Sequence, residues 1–200
     1  ILLKAIAGGG GRGMRIVRSV DELADAFARC QSEALAAFAN DGLYAEQLVA
    51  SPRHIEVQII GDGSGAVSHI WERECSLQRR HQKLVEIAPS PTLDPAMRTA
   101  MCDAAVRLGK EINYAGLGTI EFLLDTNANE FFFIEANARL QVEHTVTEEV
   151  TGIDLVRAQI EVAGGASLHD LGLQQADVPD PRGYAIQLRI NMETMTAEGD

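Results

Sequence analysis

Only three cysteines, Cys30, Cys75 and Cys102, occur in the 200 residues, and no two of them form a CxxC pair. An odd, widely spaced set argues against a disulfide framework and a structural zinc site, and points to reduced thiols in a cytoplasmic setting. Positive charge is also scarce: 17 Lys and Arg stand against 29 Asp and Glu, for a formal net charge of −12. Such a chain is a poor general partner for nucleic acid or an anionic membrane surface. No stretch is long and apolar enough to cross a bilayer, and no secretory leader is visible. Low-complexity tracts and internal repeats are lacking too, so 46% hydrophobic residues can serve a sizeable core. The chain opens on Ile1 within an expected buried strand, residues 1–7, and ends soon after another, residues 184–190. It is therefore expected to be a piece of a longer protein.

What is present concentrates in residues 131–144, where three Phe and an Ile run into Glu135, Asn137, Arg139, Gln141 and Glu143 at every second position. On a continuing strand these polar groups share one face. A carboxylate buried beside Phe131, Phe132 and Phe133 needs a cation or a hydrogen-bond network, so Glu135 marks a site. Residues 119–124 form a second apolar strand holding one acid, Glu121. The turn-rich linker 125–129 predicts an antiparallel hairpin that brings Glu121 close to Glu135. With Asn137 they make a set of hard oxygen ligands suited to Mg²⁺ or Mn²⁺. The basic residues cluster as well: Arg73, Arg79, Arg80, His81 and Lys83 allow a local anion site on an acidic chain.

Gly8-Gly9-Gly10-Gly11-Arg12-Gly13 fits the spacing of a dinucleotide-binding loop, but β-prone residues 14–18 follow where that motif opens a helix. Met14 also stands where a Walker A motif needs Lys. A strand, a glycine loop and a second strand remain, and backbone N–H groups of such a loop can cradle phosphates with charge from Lys4 and Arg12. Five Gly among six residues carry a large ordering cost, which predicts a loop that is poorly ordered without nucleotide.

The rest reads as a mixed α/β protein. Ser19 to Glu22 has capping-box spacing, and Val20, Leu23, Phe27, Ala34 and Phe38 form the apolar stripe of a helix that Asn40-Asp41-Gly42 ends. Strands are expected at 43–49, 53–61 and 66–72, the last two joined by a turn at Asp62-Gly63-Ser64-Gly65. Asp94 and Pro95 announce a second helix with Met97, Met101, Ala104, Leu108 and Ile112 on its apolar face. Residues 145–164 are expected to be helical with a break at Thr151-Gly152.

Taken together, Lys4 with the glycine loop, residues 51–58 (SPRHIEVQ), residues 74–83 (ECSLQRRHQK) and residues 135–144 (EANARLQVEH) resemble biotin carboxylase, in the same order and over essentially the whole chain. The resemblance implies an α+β, ATP-grasp fold: an antiparallel sheet flanked by helices, with a small glycine-loop lid at residues 1–47 and a larger subdomain at 48–200. It implies ATP, Mg²⁺ or Mn²⁺, bicarbonate and biotin on a carrier as ligands. It also implies a biotin carboxyl carrier domain, a carboxyltransferase and a homo-oligomer as partners.

By that resemblance Lys4 and the glycine loop, Gly9, Gly10 and Gly11 included, hold phosphates. Glu46 and the backbone of Gln47 and Val49 receive adenine, and His54, Gln78 and His81 line the nucleotide site. Glu121, Glu135 and Asn137 match the metal ligands. Lys83 matches a cation on the bicarbonate and phosphate side, Arg139, Gln141 and the Val142 backbone match the bicarbonate cradle, and Glu143 matches the general base. Arg189 matches the arginine that faces carboxyphosphate and biotin. The chemistry accounts for the residue types: a carboxylate base deprotonates bicarbonate for attack on the γ-phosphate, and cations neutralise the charge that develops.

Single residues carry less weight than the constellation, since a lone His is often only hydrogen-bonded, a basic run is usually solvated, and Cys75 reads as a small buried residue. Gln47, Ala136, Ala138 and the tail after Arg189-Ile190-Asn191 depart from common members, and the tail hints at an acyl-CoA carboxylase branch. Another ATP-grasp ligase, such as a carbamoyl-phosphate-synthase-like enzyme, and a non-catalytic nucleotide-binding module are the alternatives.

Overall fold

A computed structural model describes residues 1–8, 12–50, 52–79 and 82–192. Gly9, Gly10, Gly11 and His81 lie outside them, as does the expectation about loop order. The chain divides into two compact units, Ile1–Ser51 with Gln78–Gln82, and Pro52–Leu77 with Lys83–Asp200.

In the first unit, strands β1 (Leu2–Ala5), β2 (Met14–Ile16) and β3 (Leu43–Glu46) form an antiparallel sheet in the order β2-β1-β3. Helix α1 (Leu23–Phe38) packs on it through Cys30, which joins Leu3 and Val17 in a small core. The expected apolar stripe holds only in part: Ala34 is buried, as is Cys30, which is not among the expected residues, but Val20, Leu23 and Phe27 are exposed. Helix and sheet differ in length. Sixteen helical residues span about 24 Å and a four-residue strand about 13 Å, so the sheet covers little more than half the helix. The capping box is also displaced, because Ser19 makes no side-chain cap and Glu22 accepts from the Arg18 N–H.

The second unit is built on a six-stranded sheet in the order β8-β7-β4-β5-β6-β9. The strands are β4 (Arg53–Asp62), β5 (Val67–Arg79), β6 (Gln82–Ala88), β7 (Ala115–Asp125), β8 (Glu130–Asn137) and β9 (Ala185–Leu188). Pairs β4–β5, β4–β7, β7–β8 and β6–β9 run antiparallel. Asp62 ties the β4–β5 turn by accepting from the N–H and hydroxyl of Ser64, with Gly63 and Gly65 at φ 79° and 97°.

Alternation along β4 and β7 sorts the two faces. Ile55, Val57, Ile59, Phe122 and Leu124 face helix α2 (Pro95–Glu111), whereas Ile60 and Leu117 pack with Leu155 of helix α4 (Leu155–Ala163). Helix α3 (His144–Thr151) places Val146 and Val150 against Ala88 of β6 and Ala185 of β9. Gly152, at φ 75°, separates α3 from α4 as the sequence predicts. Along α2 the cap is as expected, Asp94 accepting from the N–H groups of Ala96 and Met97. The expected stripe holds only in part: Met101 is buried and Met97 and Ala104 pack against the core, but Leu108 and Ile112 are exposed and Cys102, Ala105 and Gly109 complete the buried face. Small residues let this helix lie close to the sheet, and a Cβ at Gly109 would sit 2.9 Å from Val67 Cγ1.

Candidate active site

Four charged residues line up across the second sheet, each directly opposite the next: Arg73 on β5, Glu56 on β4, Glu121 on β7 and Glu135 on β8. The predicted hairpin is formed, and its Asp125 carboxylate accepts from the N–H groups of Asn127 and Ala128. One expectation is reversed. Glu135 is exposed on an edge strand, where Phe132 and Phe133 are exposed as well, and the buried carboxylate is Glu121 at 4% exposure. A bulge at Ile134 breaks the alternation that linked Glu135 to the three Phe side chains.

Three acids in a row repel one another unless cations or donors lie between them. Arg73, fully buried, donates its Nε–H to Glu56 and its terminal N–H groups to Gln58, Thr147 and Thr119. Lys83, on β6, hydrogen-bonds to Glu56, to Glu121 Oε1 at 2.9 Å and to Glu143 Oε1 at 2.8 Å. Burial alone would lower the Lys83 pKa, but the charge of Glu56, with those of Glu121 and Glu143, raises it well above the usual lysine value.

Glu121 is the most crowded acceptor. His54 Nε2 lies 2.6 Å from its Oε2, and the Asn137 and Gln141 amides donate to its Oε1 at 2.9 and 3.0 Å. Burial would raise the Glu121 carboxyl, but the His54 hydrogen bond and the Lys83 charge outweigh it and hold the pKa at about 2.

The shared face expected for residues 135–143 is interrupted, because β8 ends at Asn137. The chain then turns, and the turn carries Gln141 and Glu143 back under the sheet, where both are buried. Glu143 meets Lys83 and is held ionised: burial raises its pKa, and the Lys83 charge lowers it further than that. Arg139 and Val142 are exposed, with Arg139 near the Asn137 Oδ1 at 3.4 Å. Arg189, just past β9, points a guanidinium nitrogen to within 3.6 Å of Glu143 Oε2.

Glu121, Glu135 and Asn137 suit a divalent cation. They are hard oxygen donors on adjacent strand positions, and the Asn137 amide donates to both carboxylates. Glu135 forms no ion pair among the described residues, so charge remains on that side for a cation to neutralise. His54, Glu56 and Glu121 also present ligand atoms within 4.8 Å of one another, although Lys83 already bridges Glu56 and Glu121. Cys75 is a buried thiol raised well above its ordinary value by burial and by Glu56, which fits packing.

In the first unit, the Lys4 ammonium hydrogen-bonds to both Glu46 oxygens at 3.1 and 3.0 Å and lies 5.7 Å from the Tyr44 ring centroid. Gln47 and Gln78 are exposed and Val49 is half-buried.

Sequence reasoning did not single out Glu56 and Glu86, and it read Arg73 as part of a basic cluster open to an anion, whereas all three are buried and Arg73 is bonded to Glu56. For Glu56 a signal existed: His54, Glu56 and Gln58 alternate with Ile55, Val57 and Ile59, as Thr119 and Glu121 do with Ile120 and Phe122. Each is a polar ladder on one face of an otherwise apolar strand.

Residues 1–171 match the family described as the ATP-binding domain of the carbamoyl-phosphate synthase L chain, and the chain belongs to that family. Two solved structures illustrate the likeness of the fold. Biotin carboxylase from Campylobacter jejuni, in a β,γ-ATP complex, superposes with a TM-score of 0.89 at 46% identity, covering 98% of this chain and 43% of that one. The biotin carboxylase domain of Hydrogenobacter thermophilus 2-oxoglutarate carboxylase, with MgADP, ADP and bicarbonate, gives 0.89 at 47%, covering 96% and 41%. The fold is thus the ATP-grasp fold of biotin carboxylase domains. Pyruvate carboxylase of Bacillus subtilis (strain 168) is 54% identical over 198 residues, and human mitochondrial pyruvate carboxylase 55% over 193. The chain spans 17% and 16% of their lengths, with 96% of its own covered in each case. No helix among the described residues is long and apolar enough to cross a membrane.

Proposed function

We propose that this chain is the ATP-grasp part of a biotin carboxylase, which uses ATP and bicarbonate to carboxylate biotin on a carrier domain. The observation that carries the reading is the meeting of Glu56, Glu121 and Glu143 on Lys83, with Arg189 beside Glu143. Glu143 takes the bicarbonate proton. Arg139, Gln141 and the Val142 backbone cradle the anion, and Lys83 offsets charge on the transferred phosphoryl group. While Lys83 grips it, Glu143 is a weak base; an anionic ligand that draws Lys83 away restores its basicity when it is needed. Carboxyphosphate then yields CO₂, phosphate takes the ureido proton of biotin, and Arg189 stabilises the enolate that captures CO₂.

In this reading Glu121, Glu135 and Asn137 hold Mg²⁺ or Mn²⁺, which supplies charge neutralisation of the phosphates when bound. Lys4 and residues 8–13 bind phosphate, Glu46 with the backbone of Gln47 and Val49 binds adenine, and His54, Gln78 and His81 complete the nucleotide contacts. Residues 1–47 serve as the lid and 48–200 as the larger subdomain.

For the final acceptor we favour a 2-oxo acid such as pyruvate over the acyl-CoA suggested by the tail sequence, because relatives 51–55% identical are named pyruvate carboxylases. The carrier, the carboxyltransferase and a homo-oligomeric contact belong to the remainder of the longer protein. The 200 residues alone do not turn over, since catalysis needs reactants held to within about an ångström by a complete cleft.

The test is ATP cleavage by the full-length protein with bicarbonate, with and without free biotin, followed by transfer to pyruvate, 2-oxoglutarate, acetyl-CoA and propionyl-CoA. Bicarbonate-dependent cleavage stimulated by biotin is expected, with carboxylation of pyruvate. Cleavage that ignores bicarbonate and biotin would refute the reading.

A further inference from the structure

Glu86 is the least satisfied acid among the described residues. It lies on β6 opposite Gln187 of β9, on the face where Ala88 packs against α3, and its exposure is 0%. Neither carboxylate oxygen has a hydrogen-bond partner among the described residues. A charge in such a place is costly and calls for a counter-charge.

That counter-charge is Arg189. Its Nη2 lies 3.9 Å from Glu86 Oε1 and 3.6 Å from Glu143 Oε2, so one guanidinium hangs between two buried carboxylates. Its backbone N–H donates to the Leu84 carbonyl at 2.9 Å, which fixes the base of the side chain beside β6. With no solvent exposure Glu86 cannot meet a substrate directly. Its reach is through Arg189.

We propose that Glu86 is a positioning residue for Arg189, a fixed buried counter-charge that keeps the guanidinium beside Glu143 through the reaction. The need follows from proton bookkeeping and rests on the function proposed above. When Glu143 accepts the bicarbonate proton it loses its charge and its pull on Arg189, before the biotin enolate that Arg189 must stabilise has formed. Glu86 takes no part in that proton transfer and retains its hold. The charged groups around Glu86 are Glu143, Arg189, Glu56 and Lys83; burial, then Glu143 and Glu56, raise its pKa above the ordinary carboxylate value, and Arg189 and Lys83 work against that rise.

The experiment compares Glu86→Gln, Glu86→Asp, Arg189→Met and the double variant Glu86→Gln/Arg189→Met in the full-length protein. Glu86→Gln should lower kcat/KM for free biotin by about ten-fold or more, and leave bicarbonate-dependent ATP cleavage without biotin within about two-fold. Glu86→Asp, which keeps the charge, should recover most of the loss. The double variant should be no worse than Arg189→Met, since the acid acts through the arginine. Unchanged biotin kinetics in Glu86→Gln, equal losses in both reactions, or independent losses in the double variant would each overturn the proposal. Should the unaltered protein fail to carboxylate biotin, the functional reading fails instead. Crystal structures of the unaltered protein and Glu86→Gln then decide the pairing: Arg189 displaced from position 86 supports it, and an unmoved guanidinium sinks it.

Discussion

Glu56 and Glu121 stand directly opposite each other on neighbouring strands, and a single ammonium, Lys83 Nζ, hydrogen-bonds to both. Like charges in that position repel, so the pairing exists because Lys83 and Arg73 are there. The same ammonium also holds Glu143, which makes three buried acids depend on one cation. In the proposed reaction an incoming anion draws this ammonium away, and the acids it leaves become better bases and metal ligands.

Replacing Lys83 by Met removes the cation and leaves its three acids buried. Loss of one partner from a buried ion pair costs about 3–5 kcal/mol, and a comparable drop is expected for this chain. Urea denaturation followed by the fluorescence of Trp71, the chain's one tryptophan, measures it. A drop below about 1 kcal/mol, the range of surface pairs, would show that the hub adds little to the fold.

Glu121 predicts an acid limb. Its folded pKa of about 2 lies below the ordinary 4.5, so the unfolded chain binds this proton more readily. The contribution is fully present above about pH 4.5 and is lost as pH falls toward 2, and a shift of that size corresponds to about 3 kcal/mol. Glu121→Gln should flatten the fall in urea midpoint between pH 5 and pH 3 relative to the unaltered chain, on the order of that amount. An unchanged slope would place the acid sensitivity elsewhere.

Much of this architecture was legible in the sequence because it rests on local chemistry. The Asp94 cap and the turns at Asp62 and Asp125 each follow from a side chain bonding nearby backbone, and the break at Gly152 from the freedom of glycine at positive φ. The pairing of Glu121 with Glu135 followed from strand lengths and a short turn. What escaped depends on distant partners. Glu135 reads as buried beside three Phe residues, but edge position is a property of the whole sheet. The return of Glu143 toward Lys83 comes from a turn after Asn137 that strand alternation cannot foresee. Glu86 lies next to Ile87 in an ordinary strand, and its importance appears only with Arg189 at hand, 103 residues later.

Helix α2 offers a direct contrast between periodicity and packing. Met101 and Ile112 both lie on the expected stripe, yet Met101 is fully buried against the sheet and Ile112 is 69% exposed. Met101→Ala should therefore cost about 2–5 kcal/mol, and Ile112→Ala about 0.5 kcal/mol or less. Thermal or urea unfolding of the two variants reads the difference, and equal costs would contradict the helix orientation.

The metal assignment is tested by separating binding from stability. Glu135 is exposed, the one side-chain hydrogen bond it makes among the described residues comes from Asn137, and it forms no ion pair there. Removing its charge should leave the fold nearly untouched. Glu121 is buried and holds four donors, so its loss disturbs the fold as well as any ligand. In the full-length protein, Glu135→Gln is expected to weaken Mn²⁺–ATP binding by about ten-fold or more while shifting the unfolding midpoint little, because losing even an outer partner of a metal ligand costs that much affinity. Glu121→Gln should lower both. Calorimetric titration of each variant with Mn²⁺–ATP, beside its urea curve, separates the two effects. If Glu135→Gln binds Mn²⁺–ATP as tightly as the unaltered protein, the cation is not held on the β8 side. The ligands would then have to be sought among His54, Glu56 and Glu121, where Lys83 must first give way.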